Sequence, residues 1–255
     1  MTTPSQIATE ISRVTYGLAE AGYLLGFNAT KVREKAGFRE AIWATGPPEA
    51  AGKLVGTPHT VREYLDALQS GQYTMLFLDG AFLQLRYRFV RRRMIQHSLC
   101  YYPCPISLEA AIERLDAREV SESDDTDTDR GPAPDVKSYL DERVDEGFDL
   151  ATIIELGLLD DDLLRLRGPI RFDYDLRAAA DDHPGSHVHL SSGSCRLPVF
   201  GALSPGAFLK FVVREYYPEI WASASIVRDM PVQRIDESIE DVHRRRLHVQ
   251  LLFDN

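Results

Sequence analysis

The stretch YTMLFLDGAFLQLRYRFVR, residues 73–91, decides the fold class of this chain. Asp79-Gly80 is a favoured pair for a two-residue type I′ turn, and apolar, strand-like sequence flanks it on both sides. We therefore predict an antiparallel hairpin with one apolar face. Its predicted cross-strand pairs are Leu78 with Ala81, Leu76 with Leu83 and Thr74 with Leu85. Its other face would carry Tyr73, Met75, Phe77, Phe82, Gln84, Arg86 and Arg88.

Further elements are predicted on both sides of this hairpin. A third strand over 94–102 continues it and ends at Pro103. Apolar residues at helical spacing predict a helix from Thr3 or Ser5 to about Leu25. Other helices are predicted from Thr57-Pro58 to Gly71, over 32–38, and from Ser204-Pro205 to Tyr216. These elements predict an α+β fold, in which an antiparallel sheet with hairpins packs against amphipathic helices.

Length and composition predict one domain over residues 1–255. The chain is 44% hydrophobic, which is enough for a substantial core. An acidic run followed by Gly131-Pro132 predicts a flexible loop at about 119–135.

Three cysteines without framework spacing, no signal peptide and no long apolar run predict a cytoplasmic protein without membrane association. The net charge of −10 argues against wholesale coating of nucleic acid but allows a local basic patch.

A second hairpin, HPGSHVHLSSGSCRLPV at residues 183–199, concentrates polar chemistry. A four-residue loop would place His189 opposite Arg196 and Val188 opposite Leu197. His187 and His189 then project from one face, while Cys195 points to the apolar face. This register predicts two histidines and an arginine side by side, with His183 at the start of the hairpin.

The preceding strand, residues 171–176, would bring a carboxylate beside these histidines. Asp173 and Asp175 alternate with apolar residues, so either could face His187 and His189 if the strands pair. Asp173, His187 and His189 could then hold a divalent metal. Without a metal, the imidazoles and Arg196 could bind a phosphate and perform acid–base work. A third interpretation is a polar sheet face with ordinary hydrogen bonds. Site candidates are therefore His183, His187, His189, Asp173 and Arg196.

A dense basic cluster in this acidic chain predicts a nucleic-acid surface. Its members are Arg86, Arg88, Arg91, Arg92 and Arg93. The aromatic residues Tyr73, Phe77 and Phe82 are predicted nearby. Arginines interleaved with aromatics suit single-stranded nucleic acid, through phosphate contacts and base stacking. The alternative is a solvated strand face whose aromatics are covered by a helix.

Two segments together resemble a bacterial and archaeal family known only as a domain of unknown function. The first comprises Phe77-Leu78-Asp79-Gly80, Gln84, Tyr87, Phe89, His97 and Tyr101-Tyr102-Pro103. The second comprises residues 169–175, His183-Pro184, His187, His189, Arg196, Pro198 and the helix 205–217. The resemblance covers about residues 73–217. It implies a single domain and carries no assigned activity or catalytic residues.

The predicted function is handling of nucleic acid or another phosphate polyanion, in a prokaryotic defence or toxin–antitoxin-like system. If the protein is catalytic, the chemistry is phosphodiester hydrolysis or transfer at the His/Asp/Arg site. The alternative is a non-catalytic interaction subunit of a larger complex. Nucleic acid and a protein are thus the predicted partners, and the candidate site could hold a divalent metal as cofactor. The chain has no Walker A loop, G-x-G-x-x-G, G-x-S-x-G or H-E-x-x-H motif, which disfavours the corresponding enzyme classes.

Overall fold

The computed structural model describes residues 3–44, 61–105, 168–175, 177, 183–190, 195–232, 239, 241–245 and 247–250. Its helices are α1 (Pro4–Glu20), α2 (Val61–Gln69), α3 (Pro205–Tyr216), α4 (Pro218–Ser223), α5 (Ser225–Arg228) and α6 (Asp241–Arg244). Its strands are β1 (Leu24–Phe27), β2 (Thr30–Lys35), β3 (Phe38–Trp43), β4 (Met75–Phe77), β5 (Phe82–Val90), β6 (Arg93–Tyr102), β7 (Ile170–Asp175), β8 (Ser186–Leu190) and β9 (Leu197–Pro198).

The strands form one nine-stranded sheet, which confirms the predicted α+β class. The hydrogen-bonded order is β1-β4-β5-β6-β7-β8-β9, and the named strands pair in antiparallel fashion. The long strand β5 pairs with β4 near its beginning and with β3 near its end. The predicted third strand is β6, and the strand predicted over 171–176 is β7, which lies between β6 and β8.

One face of the sheet packs against α1 and α3 to form the main core. Both helices begin as predicted, since Thr3 caps α1 in a capping box and Ser204 caps α3 ahead of Pro205. Phe208 of α3 is fully buried and meets Phe172 of β7 edge to face, with ring centroids 6.1 Å apart. The main core therefore occupies one face of β5 to β8, and α2 covers part of the opposite face through Tyr64.

The turn of the first hairpin differs from the prediction by one residue. Phe77 N–H donates to the Ala81 carbonyl and Gly80 N–H donates to the Phe77 carbonyl, so residues 78–80 form a three-residue loop. Gly80 has φ +78°, the left-handed conformation that such loops place at this position. Met75 therefore pairs with Leu83, where the two-residue turn predicted Leu76. Because side chains alternate between faces, Met75 and Phe77 belong to the core, not to the arginine face.

Gly80→Ala is expected to lower the free energy of unfolding by more than about 1 kcal/mol. The positive φ disfavours any side chain, and an added Cβ would lie 3.0 Å from both the Cys104 Sγ and the Tyr64 hydroxyl oxygen. Urea unfolding followed by circular dichroism measures the change. Gly37→Ala is the matched control, because Gly37 also has a positive φ, of +87°, but has open space around its Cβ position. Equal losses of unfolding free energy in Gly80→Ala and Gly37→Ala would contradict a contribution from the Cβ contacts with Cys104 and Tyr64.

Other boundary predictions need correction. The helix α1 ends at Glu20, and Leu24 and Leu25 belong to strand β1, because Gly22 at φ +75° turns the chain. The short helix predicted over 32–38 is wrong, since these residues lie in β2, in a tight turn and at the start of β3. The predicted acidic loop at about 119–135 falls outside the described residues.

Candidate functional site

The sheet face opposite the main core carries rows of polar side chains across neighbouring strands. One row runs from Arg86 through Ser98 and Asp173 to His187, each residue being the register partner of the next. The adjacent row contains Cys100, Arg171 and His189. Neighbouring strands lie about 4.8 Å apart, so side chains from successive strands can touch. The pairing of β7 with β8 thus brings together residues that the sequence separates.

Asp173, His187 and His189 converge within this polar face. The Nε2 atoms of the two imidazoles lie 3.0 Å apart, and the His189 Nε2 lies 3.4 Å from the Asp173 Oδ2. One ligand atom from each of these three residues lies within 4.8 Å of the other two. The predicted grouping of both histidines with a strand carboxylate is therefore observed, and Asp173 supplies the carboxylate.

The histidine hairpin has the predicted register where it is described. Val188 pairs with Leu197, as predicted, and His187 pairs with Pro198. Continuing this register by one residue toward the hairpin loop places His189 opposite Arg196. Cys195 is half-buried and does not line the cleft described below. Arg196, rather than a thiol, therefore accompanies the histidines.

Hydrogen bonds orient each member of the group. His187 Nδ1 lies 2.8 Å from the Pro184 carbonyl oxygen, which only accepts, so Nδ1 carries the proton. Asp173 accepts a hydrogen bond from the Ser98 hydroxyl on Oδ1 and one of 2.8 Å from the Arg171 Nε on Oδ2. His189 Nδ1 is buried without a hydrogen-bond partner among the described residues, so Nε2 is the ring nitrogen that meets the group.

Burial and charge set the protonation states of these residues. His187 and His189 are only 4% and 6% exposed. Burial disfavours the imidazolium and lowers the pKa of His187 to about 4, so this ring is neutral near pH 7. Burial alone would raise the pKa of the Asp173 carboxyl, but hydrogen bonds from His189 and Ser98 and the Arg171 guanidinium hold it well below its ordinary value. The site thus combines a carboxylate with neutral imidazole.

The group opens into a cleft of about 310 Å³. Its polar lining includes Gln96, Ser98, Arg171, Asp173, Asp175, His183, His187, His189 and Arg196. His183 meets His187 edge to face, with ring centroids 4.8 Å apart. Arg196 is exposed to solvent, while Asp175 pairs with Arg177 at 3.4 Å. The cleft therefore joins all five residues predicted as catalytic candidates: three histidines, Asp173 and Arg196.

His97 does not belong to this cleft, although it is one of the residues that carry the family resemblance. It is the register partner of Tyr174 and Tyr87 on the core side of the sheet. Its Nε2 accepts a hydrogen bond of 2.9 Å from the Leu203 N–H. Complete burial lowers the pKa of His97 to about 4, which keeps it neutral in this structural role.

The five arginines of the predicted nucleic-acid surface separate into two groups. Arg86 and Arg88 form ion pairs of 3.1 and 3.4 Å with the fully buried Glu40 of β3. Arg91, Arg92 and Arg93 lie exposed at the β5–β6 turn. A single surface built from all five is therefore not what the structure shows. Nucleic-acid binding by the exposed turn arginines stays a prediction.

Two of the three aromatic residues predicted to accompany these arginines, Phe77 and Phe82, are covered, while Tyr73 is half-buried. Phe77 lies in the core and stacks on Tyr217 with ring centroids 4.4 Å apart. Phe82 is fully buried between Tyr102 and Tyr64, the latter supplied by α2. The predicted alternative, in which a helix covers the aromatics, is thus correct for Phe82. Base stacking on Phe77 or Phe82 would require these contacts to open.

Three residues important to the polar face were not identified from sequence. Ser98 and Arg171 orient Asp173, and Glu40 binds the arginines of β5. Arg171 and Asp173 are two residues apart on one strand and so share a face. The sequence alone could therefore have indicated that they are neighbours. Ser98 and Glu40 come from strands far away in sequence, so only the strand order reveals their roles.

A family model matches this architecture over residues 28–251 and carries the description "Uncharacterized conserved protein (DUF2290)". The chain belongs to the DUF2290 family. This match confirms the resemblance to a domain-of-unknown-function family. Neither a curated protein nor a solved structure matches this DUF2290 chain.

Two features of the DUF2290 chain bear on its predicted location in the cell. Cys100, Cys104 and Cys195 are free thiols. Among the helices that the structure describes, none combines the length and apolar character that a membrane span requires.

Proposed function

We propose that this DUF2290 protein binds a nucleic acid or another phosphate polyanion in the histidine cleft and catalyses phosphodiester hydrolysis or transfer there. One observation carries the proposal: His183, His187, His189, Asp173 and the exposed Arg196 surround a single cleft of about 310 Å³. This volume lies at the lower end of ordinary ligand pockets, which suits one phosphate group with part of its neighbours.

Phosphodiester chemistry needs the kinds of group that this cleft contains. A cation must hold the non-bridging phosphate oxygens, and a guanidinium does so with paired hydrogen bonds. Arg196 is the exposed guanidinium in position for this role. A base must accept the proton of the attacking water or hydroxyl while the bond from phosphorus to the leaving oxygen breaks. Neutral imidazole and the Asp173 carboxylate are groups of that type.

Local charge supports polyanion binding in spite of the acidic chain. The net charge of −10 opposes non-specific attraction of nucleic acid at long range. Arg196 in the cleft and the exposed Arg91, Arg92 and Arg93 provide positive charge at particular places. These charges therefore favour binding of nucleic acid at a defined site over non-specific coating of it by the protein. A cytoplasmic location, which the free thiols suit, would give access to such ligands.

The concave shape of the site favours this proposal over a non-catalytic interaction subunit. If the hairpin were purely structural, its polar face would be flat and covered by a packed helix. These residues instead line an open cleft. A protein partner and a role in prokaryotic defence or a toxin–antitoxin-like system stay predictions. Both concern the setting of the protein and not the chemistry of the cleft.

Arg196→Ala is expected to weaken polyanion binding by about tenfold or more, because a hydrogen bond to a charged group contributes about 1.5–3 kcal/mol. Fluorescence anisotropy with labelled single-stranded RNA, single-stranded DNA and duplex DNA measures the affinity. The slope of log affinity against log salt should fall by about one, as for any lost phosphate contact.

Arg214→Ala is the matched control for this substitution. Arg214 is an exposed arginine on α3, which packs on the other face of the sheet, and it pairs with Glu215 at 2.7 Å. Its replacement should leave affinity and salt slope unchanged. The proposal is wrong if wild-type protein binds none of the three nucleic acids and also cleaves neither them nor bis(p-nitrophenyl) phosphate.

A further inference from the structure

The three convergent atoms of the cleft have the arrangement of a metal-ligand set. We propose that Asp173, His187 and His189 bind one divalent transition-metal ion of the zinc class through Oδ2, Nε2 and Nε2. The inference rests on the same cleft as the proposed function and deepens it by naming the cofactor. Metal binding is nevertheless measurable without any substrate.

The distances fit a single small ion. Zinc binds imidazole nitrogen at about 2.0–2.1 Å, so two ligands at tetrahedral positions lie about 3.3 Å apart. The two Nε2 atoms are 3.0 Å apart, and the His189 Nε2 is 3.4 Å from the Asp173 Oδ2. Hydrogen bonds from His189 to His187 and to Asp173 are compatible with the same two distances. A bound ion would replace both contacts with bonds from Nε2, Nε2 and Oδ2, which already lie within 4.8 Å of one another.

The His187 tautomer suits metal binding. Its Nδ1–H donates to the Pro184 carbonyl oxygen at 2.8 Å, which leaves the Nε2 lone pair directed at the group. Metal-binding histidines characteristically donate their other N–H to a carbonyl or carboxylate in this way. The side chain is 4% exposed, so this lone pair is withdrawn from bulk water. A buried, oriented lone pair beside a carboxylate is well suited to a cation.

Hydrogen bonds also orient the Asp173 carboxylate. Ser98 donates to the Asp173 Oδ1, and Arg171 donates to Oδ2 at 2.8 Å. A carboxylate oxygen has two acceptor sites, so Oδ2 can bind Arg171 and still face the histidines. Hydrogen-bonded carboxylates of this kind are typical supports of metal centres. Ser98 and Arg171 are thus positioning residues for the ion.

The ligand types select the class of ion. Two imidazole nitrogens and one carboxylate oxygen suit zinc and related first-row ions, whereas magnesium and calcium prefer oxygen ligands throughout. Three protein ligands leave at least one coordination position for the open cleft, which is the pattern of catalytic rather than structural zinc. An ion there would supply a Lewis acid for phosphodiester cleavage. With His187, His189 and Asp173 engaged as ligands, the His183 imidazole in the same cleft would then take the role of base.

Metal titration of the chelator-treated full chain tests the proposal directly. Zinc is titrated in competition with a chromophoric chelator, and cobalt(II) is added separately to record its visible absorption. We expect one ion per chain and the intense visible bands of a low-coordinate cobalt site. His187→Ala and His189→Ala should each weaken zinc binding by at least about 100-fold, since even supporting residues contribute about 10–100-fold.

Control variants and a second measurement keep the test decisive. His248→Ala and Asp241→Asn remove a histidine and a carboxylate from outside the cleft and should leave the zinc affinity unchanged. X-ray absorption of the zinc-loaded wild-type protein should show two imidazole ligands without needing any variant. Absence of stoichiometric zinc binding by wild-type protein, or unchanged affinity in folded His187→Ala and His189→Ala, would overturn the proposal.

The proposed function and the metal site can fail separately. Zinc binding without cleavage or binding of any phosphate ester would retain the metal site and remove the proposed function. Cleavage that persists unchanged after chelation, together with absence of zinc binding, would retain the function and remove the metal site.

Discussion

Asp173→Asn is expected to reduce phosphodiester cleavage by about 10²–10⁴-fold, the range typical of removing a group that assists proton transfer. Asparagine has nearly the same shape and its carbonyl can still accept the Ser98 hydrogen bond. It lacks the negative charge that meets Arg171 and His189. Initial rates of cleavage of a fluorogenic oligonucleotide and of bis(p-nitrophenyl) phosphate measure the effect.

Asp241→Asn is the control for loss of one carboxylate. Asp241 is exposed on α6, outside the cleft, and its Oδ1 lies 3.9 Å from the Arg244 Nε. The Asp241→Asn variant should cleave phosphodiesters at the wild-type rate. A folded Asp173→Asn protein that cleaves within about threefold of wild type would contradict the assignment of this carboxylate to the chemistry. Circular dichroism establishes that both variants retain the fold.

Glu40→Ala is expected to lower the free energy of unfolding by about 3–5 kcal/mol, as when one member of a buried ion pair is removed. Glu40 is fully buried, and its carboxylate oxygens lie 3.1 Å from Arg86, 3.4 Å from Arg88 and 3.5 Å from Lys35. The Arg86 side chain is only 12% exposed, so its charge loses its counter-ion in a poorly hydrated place. Since ordinary domains are stable by about 5–15 kcal/mol, the loss is a large fraction of the total.

Glu215→Ala separates burial from simple loss of an ion pair. Glu215 binds Arg214 at 2.7 Å, but both side chains are more than 40% exposed. An exposed pair contributes about 0–1 kcal/mol, so the variant should unfold close to wild type in urea. Similar losses for Glu40→Ala and Glu215→Ala would show that burial is not what makes the Glu40 cluster important.

Local sequence patterns predicted much of the histidine hairpin. Alternation along 186–190 and 195–199 separates Val188 and Leu197 from His187 and His189, and the observed pair Val188–Leu197 has the predicted register. The capping residues Thr3 and Ser204 likewise marked two helix starts correctly. These features depend on residues close together in the chain, where turn length and period-two geometry leave few choices.

The first hairpin shows where local information becomes ambiguous. Asp79-Gly80 fits a two-residue turn and also fits the last two positions of the observed three-residue loop, with Gly80 left-handed. Both turns satisfy local preferences, but they differ by one residue in register. Burial decides between them, because the longer loop places Met75 and Phe77 in the core beside Leu83 and Leu85.

The sequence by itself determined which side chains of each strand share a face, and so it identified His187, His189 and Asp173 as candidates. Only the tertiary structure decided that β7 lies between β6 and β8. That strand order places the Asp173 carboxylate beside both imidazoles and brings Ser98 against it. The physical reason is that side-chain alternation is a property of one strand's backbone. The choice of neighbouring strand depends instead on how the whole apolar face packs against α1 and α3.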